Sequence, residues 1–356
     1  MKKRIILLFN LVMMLLFSSC TLFESQEPTD IEKEPTLIEI QNEITEVYEE
    51  VSKGCVGIYA SNSSAGSSGS GVIYKQQNGV YFVVTNSHVV EDMDEFRIYR
   101  GGSKYYRATL LGNDVTNDVA VLTFSLDLLG GNDVYIHDIF NYENENVKIG
   151  QTVMAIGCPL SLDNFNSLST GTVSKVFKKE IVTNAEINPG NSGGGLFNLS
   201  GRLIGLVRAK ETYTTATNES GASSTIPVEG FGYAITLDIV KKCIQDIEQT
   251  KDVITRPLLG ITITAVNRYI TADKEIVDSL PNNVDQALYI MEVSDGSAKV
   301  AGVRAKDVIL SIDGEEIVSL DDIEYALHTK LIGQTLVMKV YRSTTGQIVE
   351  LTINLK

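Results

Sequence analysis

The residue best placed for chemistry in this chain is a serine framed by glycines. Ser192 lies in the segment NPGNSGG, residues 188–194. Glycines permit a sharp backbone turn there that would expose the serine hydroxyl. The same turn can aim the amides of Gly190 and Ser192 at one point, as a tetrahedral oxyanion requires. The segment therefore predicts a nucleophile beside an oxyanion hole, and a flexible glycine loop is the alternative interpretation.

A serine hydroxyl is a weak nucleophile at neutral pH, so it needs a histidine base and a carboxylate that orients the base. His88 follows an apolar β-type run, where a side chain can be presented in a cleft. Asp118 immediately precedes another such run, where a carboxylate can be half-buried and fixed. Taken alone, each feature has an ordinary structural interpretation. The other two histidines, His137 in an acidic segment and His328 in a helix-like run, are interpreted as incidental.

Short apolar runs separated by turns position these residues, and they extend over the range 56–207. Such a pattern predicts an all-β sandwich or a pair of β-barrels. A helix is predicted before it, because apolar residues recur at helical spacing over the range 40–51, and another is predicted at 235–251. Pro257 disfavours a helical residue before it, so we place a domain boundary there. About a hundred residues remain for a second module.

Three segments together resemble the motifs of one protease family. TNSHVV (85–90), NDVAVL (117–122) and AEINPGNSGG (185–194) resemble the histidine, aspartate and serine motifs of the HtrA (DegP-like) family of trypsin-fold serine proteases. The resemblance runs from about Val51 to the C-terminus. It implies a mainly β chain, in which a chymotrypsin/trypsin-like double β-barrel is followed by an α+β PDZ domain. It also implies that His88 is the base and that Asp118 fixes its tautomer.

The same resemblance assigns a substrate pocket. Ile187 would line a primary pocket for small aliphatic residues such as valine or alanine. The strand from Leu206 to Lys210 would form another wall, although Lys210 falls where an apolar residue is usual in the family.

Four features depart from the family pattern. Gly195 stands where proline or alanine is usual, Asn184 replaces a common aspartate, and Cys158 replaces a common asparagine. The segment 175–180 is shorter than the sensor loop that often relays activation. None of these changes removes a catalytic group, but each bears on how readily the site assembles.

The second module carries its own resemblance. Segments at 293–298, 301–303 and 307–314 resemble the PDZ pattern of these proteases, and the alternative is an unrelated small α+β domain. Consecutive amides in a PDZ loop can hold a terminal carboxylate, and the adjacent strand edge can accept a peptide. The residues that resemble this carboxylate-binding loop are Leu258, Leu259, Gly260 and Ile261.

The N-terminus has the pattern of an export signal. A basic start and an apolar run end in Ser18-Ser19-Cys20, which resembles a bacterial lipobox. We predict a signal peptide at 1–19, acylation of Cys20, and an acidic tether at 20–36. The protease domain is then placed at 37–250 and the PDZ domain at 257–356. The chain would be anchored to the outer face of the bacterial cell membrane, and an ordinary signal peptide with an incidental cysteine is the alternative.

Composition excludes several function classes. The formal net charge of −15 provides no electrostatic footprint for nucleic acid. Cys55, Cys158 and Cys243 have neither metal-ligand spacing nor a disulfide framework, so buried free thiols are expected. No metal or organic cofactor is implied.

The function predicted from these features is cleavage of unfolded or damaged extracytoplasmic proteins, with the PDZ domain binding substrate or activator C-termini. The family implies a homotrimer. The main alternative is a catalytically weak PDZ-based chaperone or scaffold on a protease fold. A site-specific regulatory protease is the third hypothesis.

Overall fold

The computed structural model describes residues 37–126, 133–141, 146–208, 213–217, 223–227 and 230–356. The predicted signal peptide, Cys20 and the predicted tether lie outside these ranges. The first predicted helix is present as α1 (Leu37–Val51). Within the described ranges, no helix has both the length and the apolar character needed to cross a membrane.

Six strands form the first β-barrel: β1 (Cys55–Ser61), β2 (Gly66–Gln77), β3 (Val80–Thr85), β4 (Glu95–Tyr99), β5 (Tyr105–Asp114) and β6 (Val119–Ser125). They pair antiparallel in the closed order β1-β2-β3-β6-β5-β4. Successive side chains of a strand point to opposite faces, so one set faces the inside of the barrel. Side chains of that set, such as Ile58, Val83 and Leu122, are completely buried. One helical turn, α2 (Ser87–Val90), follows β3, so His88 lies just beyond the strand, on a helix.

A second barrel is built from β7 (Thr152–Gly157), β8 (Ser167–Val176), β9 (Glu180–Thr183), β10 (Gly195–Asn198), β11 (Leu203–Arg208) and β14 (Gly232–Thr236). Its closed order is β10-β11-β14-β9-β8-β7. β12 (Tyr213–Thr217) and β13 (Ser223–Pro227) form a separate two-stranded sheet. The double-barrel prediction is thus confirmed.

The two barrels and a helix share one apolar core. Val84 and Val121 of the first barrel pack in the same buried cluster as Phe197 of the second. The second predicted helix is present as α3 (Leu237–Thr250), and its Cys243 belongs to the same cluster. Burial of this shared core fixes the barrels against each other and so positions the loops between their strands.

The remaining residues form a β-rich domain. Its sheet has the order β15 (Ile261–Asn267), β16 (Gln286–Val293), β17 (Asp307–Ile312), β19 (Thr335–Arg342) and β20 (Gln347–Asn354), with β18 (Glu315–Glu316) paired to β17. Three helices accompany the sheet: α4 (Lys274–Asp278), α5 (Ser297–Ala301) and α6 (Leu320–His328). The Ser319 hydroxyl caps α6 by accepting from the Asp322 amide, while the Asp322 carboxylate accepts from the Ser319 amide. β15 is an edge strand, so one side of it is open to a further strand.

A buried ion cluster lies at the predicted domain boundary. The Arg256 guanidinium contacts Asp114 Oδ2 at 2.7 Å and Asp246 Oδ2 at 2.9 Å, and the exposed side-chain fractions are 1%, 0% and 4%. Arg256 also donates to the Lys330 carbonyl at 2.9 Å. The linker arginine therefore connects the first barrel, α3 and the C-terminal β-rich domain.

Replacing Arg256 with methionine is expected to lower the free energy of unfolding by about 3–5 kcal/mol, because the buried Asp114 carboxylate loses its cationic partner and Asp246 keeps only Lys242. Urea unfolding followed by circular dichroism would measure the change. Arg97→Met is the control, since Arg97 pairs with Glu95 at the surface with 52% of its side chain exposed. We expect the control to change stability by less than about 1 kcal/mol. Equal losses of stability in the two variants would show that the buried cluster contributes no more to the free energy of unfolding than a surface ion pair.

Candidate active site

His88 and Asp118 are in direct contact. The imidazole Nδ1 lies 2.9 Å from Asp118 Oδ1 and 3.0 Å from Oδ2. Asp118 Oδ1 also accepts the backbone amide of His88 at 3.0 Å. A carboxylate facing Nδ1 holds the proton on that nitrogen, so Nε2 is the atom that can act as a base. The histidine side chain is 44% exposed and the aspartate 15%, so the pair is accessible at the histidine end.

Local backbone geometry fixes the aspartate. Asp118 has a φ of 55°, a left-handed conformation that aspartate tolerates better than most residues. The Asn86 side-chain amide donates to the Asp118 carbonyl at 2.9 Å and thereby joins the turn before β6 to the end of β3. Both partners of the pair are thus attached to the first barrel at adjacent strand ends.

Ser192 lies in a tight turn, residues 188–194, named here the glycine turn. Gly190 and Gly193 have φ values of +95° and +83°. A Cβ on Gly190 would lie 2.3 Å from the Cys158 carbonyl oxygen, and one on Gly193 would lie 2.2 Å from the Ser70 carbonyl oxygen. Only glycine satisfies both the backbone conformation and the close approach.

Gly69 lies between the base segment and the nucleophile segment. A Cβ built on Gly69 would lie 2.7 Å from Val89, the residue after His88, and 3.1 Å from the Ser192 carbonyl oxygen. The Ser70 amide donates to that same carbonyl at 2.8 Å. The structure therefore brings Ser192 to the surface of β2 against which the His88 helix also packs.

The orientation of the Gly190 amide follows from a hydrogen bond to the carbonyl before it. The Leu160 amide donates to the Pro189 carbonyl at 2.7 Å. Because the N–H and C=O of a trans peptide point in opposite directions, the Gly190 N–H is directed away from Leu160. No acceptor for this N–H is present in the described part of the chain. It is therefore available to a ligand.

The other two histidines have structural partners. His137 is completely buried, and its Nε2 lies 3.1 Å from the Val51 carbonyl oxygen. Burial lowers the pKa of His137 to about 4, so the ring is neutral at neutral pH. His328 lies with its Nδ1 3.2 Å from Lys179 Nζ, and burial, followed by that ammonium group, lowers the pKa of His328 to about 4.

The three described cysteines, Cys55, Cys158 and Cys243, are buried and form no disulfide. Within the ranges that the structure describes, no group of three or more His, Cys, Asp or Glu residues could hold a metal ion.

The predicted pocket residues have different environments. Ile187 is half-buried, and its Cδ1 would lie 2.6 Å from a Cβ on Gly232. Leu206 is fully buried in the shared core, so its side chain faces inward. Lys210 lies outside the described residues. Ile187 is therefore the predicted pocket residue whose exposed part could meet a substrate.

The departures from the family pattern have structural counterparts. A Cβ on Gly195 would lie 2.2 Å from the Phe197 ring, so the glycine accommodates that buried phenylalanine. Asn184 Oδ1 accepts from the Thr172 amide at 2.6 Å. The short segment 175–180 contacts α6 through Lys178 Nζ, which lies 2.8 Å from Asp322 Oδ1.

The predicted carboxylate loop lies at the start of edge strand β15. Its Leu259 carbonyl accepts from Ala298, and its Gly260 carbonyl accepts from Ser294. The N–H groups of Leu259 and Gly260 have no acceptor among the residues described. Leu258 is 77% exposed and Ile261 begins the strand. Free amides beside an open strand edge suit the binding of a peptide C-terminus.

Comparison with known proteins identifies the family of each domain. A family model for a trypsin-like peptidase domain matches residues 69–206, and one for a PDZ domain matches 257–355. The Serine protease Do-like HtrA of Lactococcus lactis subsp. cremoris is 33% identical over 292 residues, which cover 78% of this chain and 68% of the relative. That of Lactobacillus helveticus is 30% identical over 302 residues, covering 82% and 68%.

Solved structures agree with the sequence relatives. The serine endoprotease from Yersinia pestis aligns with a TM-score of 0.60 and 25% identity, covering 91% of this chain and 99% of that one. The HtrA-type protease AlgW with a tripeptide aligns with a TM-score of 0.66 and 25% identity, covering 88% and 97%. The chain therefore belongs to the HtrA family, and it is a trypsin-like serine endopeptidase with a PDZ domain.

Proposed function

We propose that this endopeptidase works through a triad of Ser192, His88 and Asp118. The observation that carries the proposal is the His88–Asp118 contact, in which both carboxylate oxygens lie within 3.0 Å of Nδ1. That contact leaves Nε2 as the base. The approach of Gly69 to both Val89, the residue after His88, and the Ser192 carbonyl oxygen supports placing the serine near this base. The carboxylate stabilises the imidazolium that forms when the serine gives up its proton.

In the acylation step, Ser192 Oγ attacks the scissile carbonyl carbon while His88 Nε2 takes the hydroxyl proton. The carbonyl oxygen becomes an oxyanion, which the amides of Gly190 and Ser192 stabilise. His88 then protonates the departing amine, and the peptide bond breaks to leave an acyl-enzyme. Water attacks the ester in the second step, with His88 again acting as base, and Ser192 is regenerated.

The substrates that we propose are unfolded or damaged extracytoplasmic proteins. Ile187 would contact a small aliphatic side chain on the acyl side of the cleaved bond. Leu206 lies in β11, which would form the other wall, and its buried side chain leaves that contact to the backbone of the strand. Lys210, outside the described residues, is proposed for the same wall from the family resemblance alone. An unfolded chain can offer an extended segment to the active site and an exposed C-terminus to the PDZ domain.

The PDZ domain would bind peptide C-termini. The amides of Leu259 and Gly260 would hold the carboxylate, with Leu258 and Ile261 completing the loop, and the peptide would extend the sheet at β15. The free edge of β15 and the engaged carbonyls of the loop support this assignment. An HtrA-type protease of similar structure has been solved with a tripeptide.

For location and assembly, we propose that the chain acts outside the cytoplasm, attached by a lipid on Cys20. The proposal depends on the basic, apolar and small-residue order that precedes this cysteine. Metabolic labelling with a fatty-acid analogue would test it, since the Cys20→Ser variant should lose the label.

A homotrimer, which the family suggests, would be tested by sedimentation of the mature chain.

Cleavage of unfolded casein is the test of the proposed activity. We expect the wild type to cleave casein and the Ser192→Ala variant to lose activity by about 10⁴-fold or more. A hydrophobic C-terminal peptide, added in parallel, separates two modes of action. Cleavage without the peptide indicates quality control, and cleavage only with it indicates a site-specific regulatory protease. Undiminished cleavage by Ser192→Ala would overturn the triad, whereas no cleavage by a folded wild type would favour a chaperone or scaffold.

A further inference from the structure

A buried serine in β2 contacts the glycine turn at two places. Ser70 is 1% exposed, and its hydroxyl donates to the Gly190 carbonyl at 2.7 Å. Its backbone amide donates to the Ser192 carbonyl at 2.8 Å. These carbonyls belong to the residues on either side of Asn191. Ser70 of the first barrel therefore holds the backbone both before and after Asn191.

The hydroxyl of Ser70 has a defined direction. It accepts the Cys158 amide at 2.9 Å while it donates to Gly190. A hydroxyl has one proton, so the donated bond goes to Gly190 alone and the Cys158 bond uses a lone pair. A Cβ on Gly157 would lie only 2.8 Å from Ser70 Oγ, so the glycine at this position leaves the room that the hydroxyl occupies.

Ser70 is also tied to the strand that leads to the base. The Thr85 hydroxyl donates to the Ser70 carbonyl at 2.7 Å, and Thr85 is the last residue of β3. One residue therefore connects the strand before His88 to the turn that contains Ser192.

The glycine turn needs such a restraint because of its own composition. A glycine with a φ of +95° can adopt many other backbone conformations at little steric cost. The Leu160 amide fixes the peptide before Gly190, and the Ser70 hydroxyl fixes the peptide after it. Together they set both backbone angles of Gly190, which determine where its N–H points.

We propose that Ser70 is a positioning residue, whose hydroxyl and amide hold the glycine turn in the conformation that aims the Gly190 and Ser192 amides at the oxyanion. This inference rests on the proposed function, in which those amides form the oxyanion hole. Ser70 itself touches no reacting atom, so its effect passes through the turn.

The Ser70→Ala variant removes the hydroxyl and leaves the amide. We expect kcat on a peptide substrate to fall by about 10- to 100-fold, because misaligned donors stabilise the transition state less. KM should stay within about threefold of the wild type, since the ground state makes little use of the oxyanion hole. The affinity for a peptide boronic acid, which mimics the tetrahedral state, should weaken by the same factor as kcat/KM.

Two further variants separate positioning from general destabilisation. Ser70→Cys keeps a weaker donor of similar shape, and its kcat under reducing conditions should lie between those of the wild type and Ser70→Ala. Ser297→Ala removes another buried serine hydroxyl, one that accepts the Lys356 amide in the PDZ domain. The Ser297 variant should keep the wild-type kcat on a short peptide.

Hydrogen exchange measured by mass spectrometry tests the anchoring without relying on activity. The amides of Gly193 and Gly194 are hydrogen-bonded, so a peptide that contains the glycine turn should exchange slowly. Ser70→Ala should speed its exchange, whereas Ser297→Ala should not. Unchanged exchange, or a kcat within threefold of the wild type in folded Ser70→Ala, would overturn the proposal. If the wild type is inactive but Ser70→Ala still exchanges faster, the anchoring stands and the proposed catalytic function fails.

Discussion

Replacing Asp118 with asparagine is expected to lower kcat by about 10⁴-fold while the protein stays folded. The carboxylate accepts from both the ring and the backbone of His88. An amide in its place can offer a donor to Nδ1, which would move the ring proton to Nε2. The base would then carry a proton on the atom that must take one from Ser192.

Hydrolysis of a peptide substrate under saturating conditions would measure this effect. The matched control is Asp92→Asn, because Asp92 also has a left-handed backbone, with a φ of 59°, and lies in the same barrel. The control should keep its kcat within about twofold, as expected for a surface substitution. If Asp118→Asn retained more than a tenth of the wild-type kcat, Asp118 would not be the residue that orients the base.

Replacing Gly190 with alanine is expected to lower kcat by about 10²- to 10³-fold, the usual loss when an oxyanion donor is misplaced. The added Cβ would lie 2.3 Å from the Cys158 carbonyl oxygen and 2.9 Å from the Leu160 nitrogen, so the turn must move. Steady-state kinetics should show the loss in kcat, because binding of the extended substrate does not depend on this amide.

Gly150→Ala controls for backbone strain alone. Gly150 has a φ of +87°, and no atom lies within 4 Å of its added Cβ. Both variants place alanine in an unfavourable backbone region, but only the one at Gly190 forces a collision. A similar loss of kcat in the two variants would assign the effect to strain and contradict the oxyanion role of Gly190.

The sequence and its family motifs were sufficient to predict the barrels, and they supply the residues of the proposed site. Alternating short apolar runs predicted β structure, and helical spacing predicted α1 and α3 close to their observed bounds. His88 and Asp118 could be selected only because the family motifs give their order, since a strand-end histidine is not distinctive alone. Their contact depends on antiparallel pairing of β3 with β6, which brings residues thirty positions apart together.

Other features could not be read from local sequence, because they arise from pairing between distant strands. Ser70 belongs to a serine- and glycine-rich segment that has no apolar alternation, yet residues from Gly66 onward form β2. Its hydrogen bonds join positions 120 residues apart. Likewise, nothing near Arg256 indicated its burial, because Asp114 and Asp246 are brought to it by the first barrel and by α3.

The central claim is that Ser192 is the activated nucleophile, and covalent labelling with a fluorophosphonate probe tests it most directly. We predict that the wild type takes up one label, which peptide mass spectrometry locates on Ser192. We also predict that Ser192→Ala takes up none and that Asp118→Asn is labelled much more slowly. Labelling of Ser192→Ala at the wild-type rate, or attachment of the wild-type label to another residue, would contradict the account.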